Sequence, residues 1–207
     1  MIKVENYTKV IKGKTILDNV NYTFENGMIY GLYGRNGSGK TMLLRAIAGL
    51  IFPTQGRVMF DDKELHKDIS FPPSVGIIIE NTNMFPQYDA FTNLKILAKI
   101  KGIATDDDIR EAIRTVGLDP ESKDKVKTYS LGMKQKLAIA QAIFESPDLL
   151  LLDEPTNALD EKSIEDIRKV LIDKKNEGKT IIIASHNKED LQILSDVTLH
   201  VESGAIH

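Results

Sequence analysis

Apolar residues along the chain follow two rhythms. KTILDNVNYTF (14–24) and GMIYGLYG (27–34) are rich in β-branched and aromatic residues and are punctuated by Asn26-Gly27, which reads as strand, turn, strand. After the glycine-rich turn from Gly34 to Thr41, TMLLRAIAGLI has apolar positions at helical spacing. GRVMFDD and SVGIII are two further short strands. From about Ala90 to Glu145 the period becomes helical throughout: NLKILAKIKG, DDIREAIRTVG and SLGMKQKLAIAQAIF, with N-cap chemistry between Thr105 and Asp108. The alternation then resumes with DLLLLDEP as an apolar strand, EKSIEDIRKVLIDKKNEG as a helix closed by Gly178, and KTIIIASH as another buried strand. Alternating strands and helices with near-continuous apolar strands predict a parallel sheet covered on both faces. Ligand groups are expected at the C-terminal ends of its strands.

Composition narrows the classes. The 207 residues suffice for one α/β core with a smaller satellite, and 42% apolar with 28% charged residues fits a folded globular chain. A net charge of −3 gives no whole-chain attraction to a polyanion, so no nucleic-acid partner is expected. The absence of cysteine excludes disulfides, thiolate metal sites and cysteine nucleophiles. MIKVENYTKVIKGK has no apolar segment of signal-peptide length, and no apolar run reaches the ~18 residues of a membrane span. Any membrane role must then run through a partner.

The chemistry starts at GRNGSGKT: Gly34, Arg35, Asn36, Gly37, Ser38, Gly39, Lys40 and Thr41 fit G-x-x-x-x-G-K-[ST] between a strand and a helix. Glycines let backbone N–H groups curl around phosphate oxygens, Lys40 adds positive charge, and Thr41 offers a hydroxyl to Mg²⁺. At the tip of LLLLD, Asp153 is placed to bind that metal, and Glu154 to orient or deprotonate water. Alone, this acidic pair is as readily the polar end of a strand; beside a phosphate loop it becomes a metal and catalytic pair. His186 ends IIIASH at the same sheet edge. A lone histidine is more often structural, and here its position favours a site role. His66, His200 and His207 have no ligand-like spacing. YSLGMKQ raises a different question, since Ser130 and Gly132 open an amphipathic helix that offers free N–H groups to an anion without a complete pocket of its own.

Taken in order, the phosphate loop, YSLGMKQ, LLLLDEP, NALD (Asn157 to Asp160) and ASH resemble the ATP-binding subunit of ABC transporters over essentially the whole chain. The resemblance implies one domain, 1–207, with a P-loop NTPase core of mainly parallel sheet. N-terminal antiparallel β strands complete that part (about 1–80 and 146–207), and a helical subdomain covers about 81–145. It implies ATP and Mg²⁺ as cofactors, Glu154 and His186 as catalytic residues, and a second copy whose Ser130 and Gly132 complete the γ-phosphate site. It also implies an integral membrane transporter subunit as partner and a cytoplasmic location, peripheral on the inner face of the membrane. Phe85, Tyr88 and Phe91 are candidate contacts to that partner, with core packing the commoner fate of aromatics near helix starts.

Three positions depart from the family pattern. Glu80 in VGIIIENTNMFP stands where a glutamine is usual, as a candidate metal-side residue that adds negative charge and can no longer donate. The same exchange, with a similar continuation and a following NLKILAKIKGI-like helix, resembles ATPases of bacitracin and lantibiotic resistance exporters. Ile11 falls where an aromatic often stacks on adenine, so weaker discrimination between ATP and GTP is expected. Leu131 replaces a frequent glycine, with activity expected to be retained. A soluble ABC-type ATPase of an assembly process such as iron-sulfur cluster biogenesis remains open, as does a P-loop kinase, although the latter leaves SLGMKQ unexplained.

Overall fold

The computed structural model describes residues 1–80 and 83–207; Asn81 and Thr82, within the IENTNMFP stretch, lie outside the described residues. In chain order the first half forms β1 (Ile2–Ile11), β2 (Lys14–Phe24), β3 (Ile29–Tyr33), α1 (Lys40–Ile47), β4 (Gln55–Phe60), β5 (Lys63–Glu64), β6 (Val75–Ile78), α2 (Ala90–Lys101) and α3 (Asp106–Thr115). There follow α4 (Leu131–Ile143), β7 (Leu149–Asp153), α5 (Glu161–Asn176), β8 (Thr180–Ser185), α6 (Lys188–Leu194), β9 (Val197–Glu202) and β10 (Ala205–Ile206). One sheet has the order β2-β1-β4-β5 and is antiparallel. The other, β10-β9-β3-β8-β7-β6, is parallel from β9 to β6 and antiparallel only at β10.

Because side chains alternate faces along a strand, the apolar run of β7 feeds two cores. Leu150 and Leu152 join Ile29, Ile181 and Ile183 under helices α2 to α6. Leu149 and Leu151 join Tyr30, Leu32, Ile182 and Ala184 against α1 and the antiparallel sheet, where Val4, Leu17, Phe24 and Val58 meet them. Each fully buried leucine or isoleucine contributes about 1.5–3 kcal/mol relative to exposure, so a strand buried on both faces is held firmly in the sheet.

The expected parallel sheet, N-terminal antiparallel strands and helical stretch are all present. Helix caps follow the sequence: Thr105 and Asp108 form a reciprocal capping box on α3, Ser130 caps α4 and Asp160 caps α5. The apolar rhythm does not mark β1, β5, α6, β9 or β10. β1 breaks strict alternation at Asn6, which has a φ of 48° and sits between register shifts in both of its pairings. β9 buries only Leu199 and Val201 fully, too short a pattern to register as a strand. β2 and β3, adjacent in sequence, go to different sheets: the Asn26-Gly27 turn leads from one layer to the next.

α4 lies directly on β6. A Cβ built on Gly76 would stand 1.9 Å from the Ala142 carbonyl oxygen, so only glycine permits this approach. Gly76→Ala is therefore expected to destabilise the fold by about 1–3 kcal/mol, the usual cost of overpacking. Urea unfolding of the variant, with a lower midpoint at unchanged slope, checks it.

Candidate active site

Three strand ends meet at one sheet edge. Tyr33 of β3 pairs with Ser185 of β8, and Asp153 of β7 pairs with Ala184, so the loop after β3, the Asp153-Glu154 pair and His186 emerge at one level. The loop leads into α1, whose N-cap Gly39 has a φ of 114° and provides no side-chain cap, and whose first turn carries no acid. The positive end of α1 is therefore open to an anion. Lys40 is 5% exposed, and its ammonium donates to the carbonyls of Gly34 at 2.7 Å and Arg35 at 3.1 Å. That leaves one of its three donors for a ligand. Ser38 is buried, and its hydroxyl has no partner among the described residues.

Thr41 donates its hydroxyl to Asp153 Oδ2 at 2.7 Å. This hydroxyl and carboxylate are the hard oxygen donors that Mg²⁺ takes, so the residues present fit the metal. Burial pushes the Asp153 carboxyl above its ordinary value; the Thr41 hydrogen bond and Lys40 oppose this, while Glu154 and Glu80 add to it. A cavity of 770 Å³ is lined by Asn36, Gly37, Gly39, Lys40 and Thr41 together with Asp153 and Glu154, and its apolar lining includes Ile11 and Ile16. Tyr7 points into the core and is no substitute for an aromatic at Ile11.

The carboxylate of Glu154 is held from β8. Oε1 accepts from the His186 backbone N–H at 3.0 Å and lies 2.7 Å from His186 Nδ1, and Ser185 donates its hydroxyl to Oε2 at 3.2 Å. Donation by Nδ1 requires the proton on that nitrogen, which leaves Nε2 of a neutral ring free to accept. Beyond these contacts, buried Asp190 of α6 accepts from the Thr156 hydroxyl at 2.8 Å and pairs with Arg168 of α5, tying the loop after Glu154 to the helix after His186. Thr156, Asp190 and Arg168 had no sequence signal, since they come from three separate segments.

Other expected site residues are placed elsewhere. Ser130 is exposed at the start of α4 and accepts from the Met133 N–H, and neither it nor Gly132 lines the cavity. Leu131 beside them is 70% exposed. Glu80, with a φ of 60°, pairs with Arg45 of α1 at 2.8 Å and makes no described hydrogen bond to Thr41 or Asp153. In this structure its carboxylate thus serves an ion pair, and Arg45 is the partner that the sequence reading missed. Phe85 and Tyr88 are each 41% exposed, against the commoner expectation of core packing, whereas Phe91 packs against the core beside Arg110. Buried Asn93 pins the loop that carries the exposed pair: its side chain accepts from the Phe85 N–H at 2.7 Å and donates to the carbonyls of Phe85, Tyr88 and Asp89.

A carboxyl whose pKa is raised on folding costs stability once it is ionised. Asp153→Asn should therefore raise the melting temperature of the metal-free protein at pH 7. The gain should shrink as the pH falls through the Asp153 pKa and vanish below about pH 4, where both folded and unfolded carboxyls are protonated. Thermal melts of both proteins between about pH 3 and pH 8 check this.

The family profile described as ABC transporter matches residues 17–157. An uncharacterized ABC transporter ATP-binding protein of Bacillus subtilis (strain 168), YybJ, is 60% identical over 206 residues, covering 100% of this chain and 94% of the relative. The lantibiotic transport ATP-binding protein SrtF of Streptococcus pyogenes is 36% identical over 207 residues, covering 100% of this chain and 89% of that one. Among solved structures, the dimeric bacterial ABC transporter cassette MJ0796 superposes with a TM-score of 0.90 at 26% identity, over 100% of this chain and 97% of the other. With that match spanning both the phosphate loop and the Asp153-Glu154 turn, the chain belongs to the ABC transporter family as an ATP-binding subunit, and it is an ATPase.

Proposed function

We propose that two copies close head to tail around two ATP molecules and so power a membrane exporter whose cargo is an antimicrobial peptide or a related compound. The observation that carries this reading is the incompleteness of the cavity: it has phosphate loop, metal donors and Glu154, yet Ser130 and Gly132 open a helix outside it, with Ser130 exposed to solvent and Gly132 half-buried. The N–H groups at that helix start suit the γ-phosphate held by a second copy. The relative MJ0796 is described as dimeric, which supports the arrangement.

Within each site, the loop 34–39 and Lys40 bind the triphosphate, and Ile11 covers the base by apolar contact. Thr41 and Asp153 hold Mg²⁺, directly or through water; when bound, the metal offsets charge on the β- and γ-phosphate oxygens. Glu154, fixed by Ser185 and His186, orients a water and takes its proton. As the water oxygen bonds to the γ-phosphorus, the bond to the β–γ bridging oxygen breaks and ADP leaves with that electron pair. Loss of the γ-phosphate removes the group that joins the two bodies, so differential affinity for closed and open states supplies the work.

None of the described helices is long and apolar enough to cross a membrane; support for a separate membrane-spanning partner and a peripheral location on the cytoplasmic face comes from the similarity to ABC transporter ATP-binding proteins. The Phe85-Tyr88 pair, with ring centroids 6.2 Å apart and its loop pinned by Asn93, suits a contact with that partner. For the cargo, support comes from the similarity to the lantibiotic transport protein and from Glu80.

Glu154→Gln is expected to retain ATP and to sediment as a dimer when ATP is present; a monomer at every protein concentration overturns the sandwich. Lys40→Ala should weaken ATP binding itself by about ten- to a hundredfold, the worth of ~1.5–3 kcal/mol for a hydrogen bond to a charged group. A titration with a fluorescent nucleotide reads this directly. Phe85→Ser combined with Tyr88→Ser should leave the isolated ATPase intact while losing the integral membrane subunit in a pull-down from native membranes.

A further inference from the structure

Gln135 lies on the second turn of α4, half-buried, with its amide on the turn after Asp153. Nε2 donates to two successive carbonyls, that of Glu154 at 3.3 Å and that of Pro155 at 3.0 Å. These belong to a turn with unusual backbone: Glu154 has a φ of 49° and Ala158 a φ of 64°. Residues with side chains stay in that left-handed region only where their surroundings hold them. From the β8 side the turn is held by the Glu154 N–H donating to the Ala184 carbonyl at 2.8 Å, and from within by the Asn157 N–H donating to the Glu154 carbonyl at 3.2 Å. Gln135 supplies a side-chain tether from α4.

The same helix touches the turn a second time. A Cβ on Gly132 would stand 3.0 Å from the Ala158 carbonyl oxygen, so the first turn of α4 rests on the stretch that leads away from Glu154. Through these two contacts, the helix that presents Ser130 outward also braces the backbone that aims Glu154 inward. The two functions belong to different nucleotides, since Ser130 serves the partner's ATP and Glu154 the chain's own.

We infer that Gln135 is the positioning residue that couples seating of the α4 N-terminus on a second copy to the geometry of Glu154 in its own site. The inference rests on the reading of Glu154 as the residue that activates water and of the dimer as ATP-clamped. Without the amide donors, the dimer still closes, but Glu154 is no longer held where the turn needs it. Closure and hydrolysis then separate.

The test uses Gln135→Met, similar in length and apolar, and Gln135→Glu, similar in shape and without the donors. For each, kcat is expected to fall about tenfold, equivalent to ~1.4 kcal/mol of transition-state stabilisation, with KM for ATP within about twofold. With Glu154 intact, each variant should accumulate an ATP-dependent dimer by sedimentation, as Glu154→Gln does, and melt within a few degrees of the wild type. In the Glu154→Gln background, Gln135→Met should leave the ATP midpoint of dimerisation unchanged. Unchanged kcat in both variants overturns the inference. So does loss of dimerisation in the Glu154→Gln background, which would place Gln135 in the closure step. Loss of cooperative unfolding in both variants would mark it as purely structural and equally overturn it. Wild-type turnover by Glu154→Gln alone, or its failure to dimerise, is read without any Gln135 variant and would remove the underlying reading itself.

Discussion

Parallel pairing of β3, β8 and β7 in a fixed register is the constraint on which the rest of the structure depends. It brings the ends of three strands, far apart in sequence, to one edge with Tyr33 opposite Ser185 and Asp153 opposite Ala184. Apolar side chains on both faces hold these strands in the sheet, and the polar residues that end the runs, Asp153 and Ser185, mark where each strand stops at the candidate site. The same pairing continues past the strand end, where the Glu154 N–H bonds to the Ala184 carbonyl.

Around that edge, polar groups are buried in an arrangement that a ligand would improve. Asp153 is ionisable in a site that disfavours its charge, Lys40 is folded onto its own loop, and the Ser38 hydroxyl has no partner among the described residues. The free protein tolerates these groups because two large apolar cores carry its stability. Stability and function are thus separated in space, with the cost gathered at the sheet edge and the gain in the layers behind it.

α4 links the two demands. Its inner face is core, with Leu137, Ile139 and Ile143 buried, and its first turn faces solvent with Ser130 and Leu131. Its position is set by β6 through the close approach at Gly76 and by the Glu154 turn through Gln135. A helix so fixed at its base and so exposed at its tip suits recognition of another body's anion better than closure of its own pocket.

The sequence by itself determined the local chemistry and the layering. The phosphate loop, the Asp153-Glu154 strand tip, the helix starts at Thr105 and Ser130, and the two-faced apolar strands are each encoded within about ten consecutive residues, where spacing and side-chain type suffice. Tertiary structure alone decided what depends on segments meeting. It assigned β2 and β3 to different sheets, paired Glu80 with Arg45, set Gln135 beneath Glu154, joined Thr156 to Asp190, and left Phe85 and Tyr88 exposed on a loop pinned by Asn93. None of these contacts leaves a periodic trace along the chain, because a hydrogen bond or ion pair between distant segments constrains two residues and not a pattern.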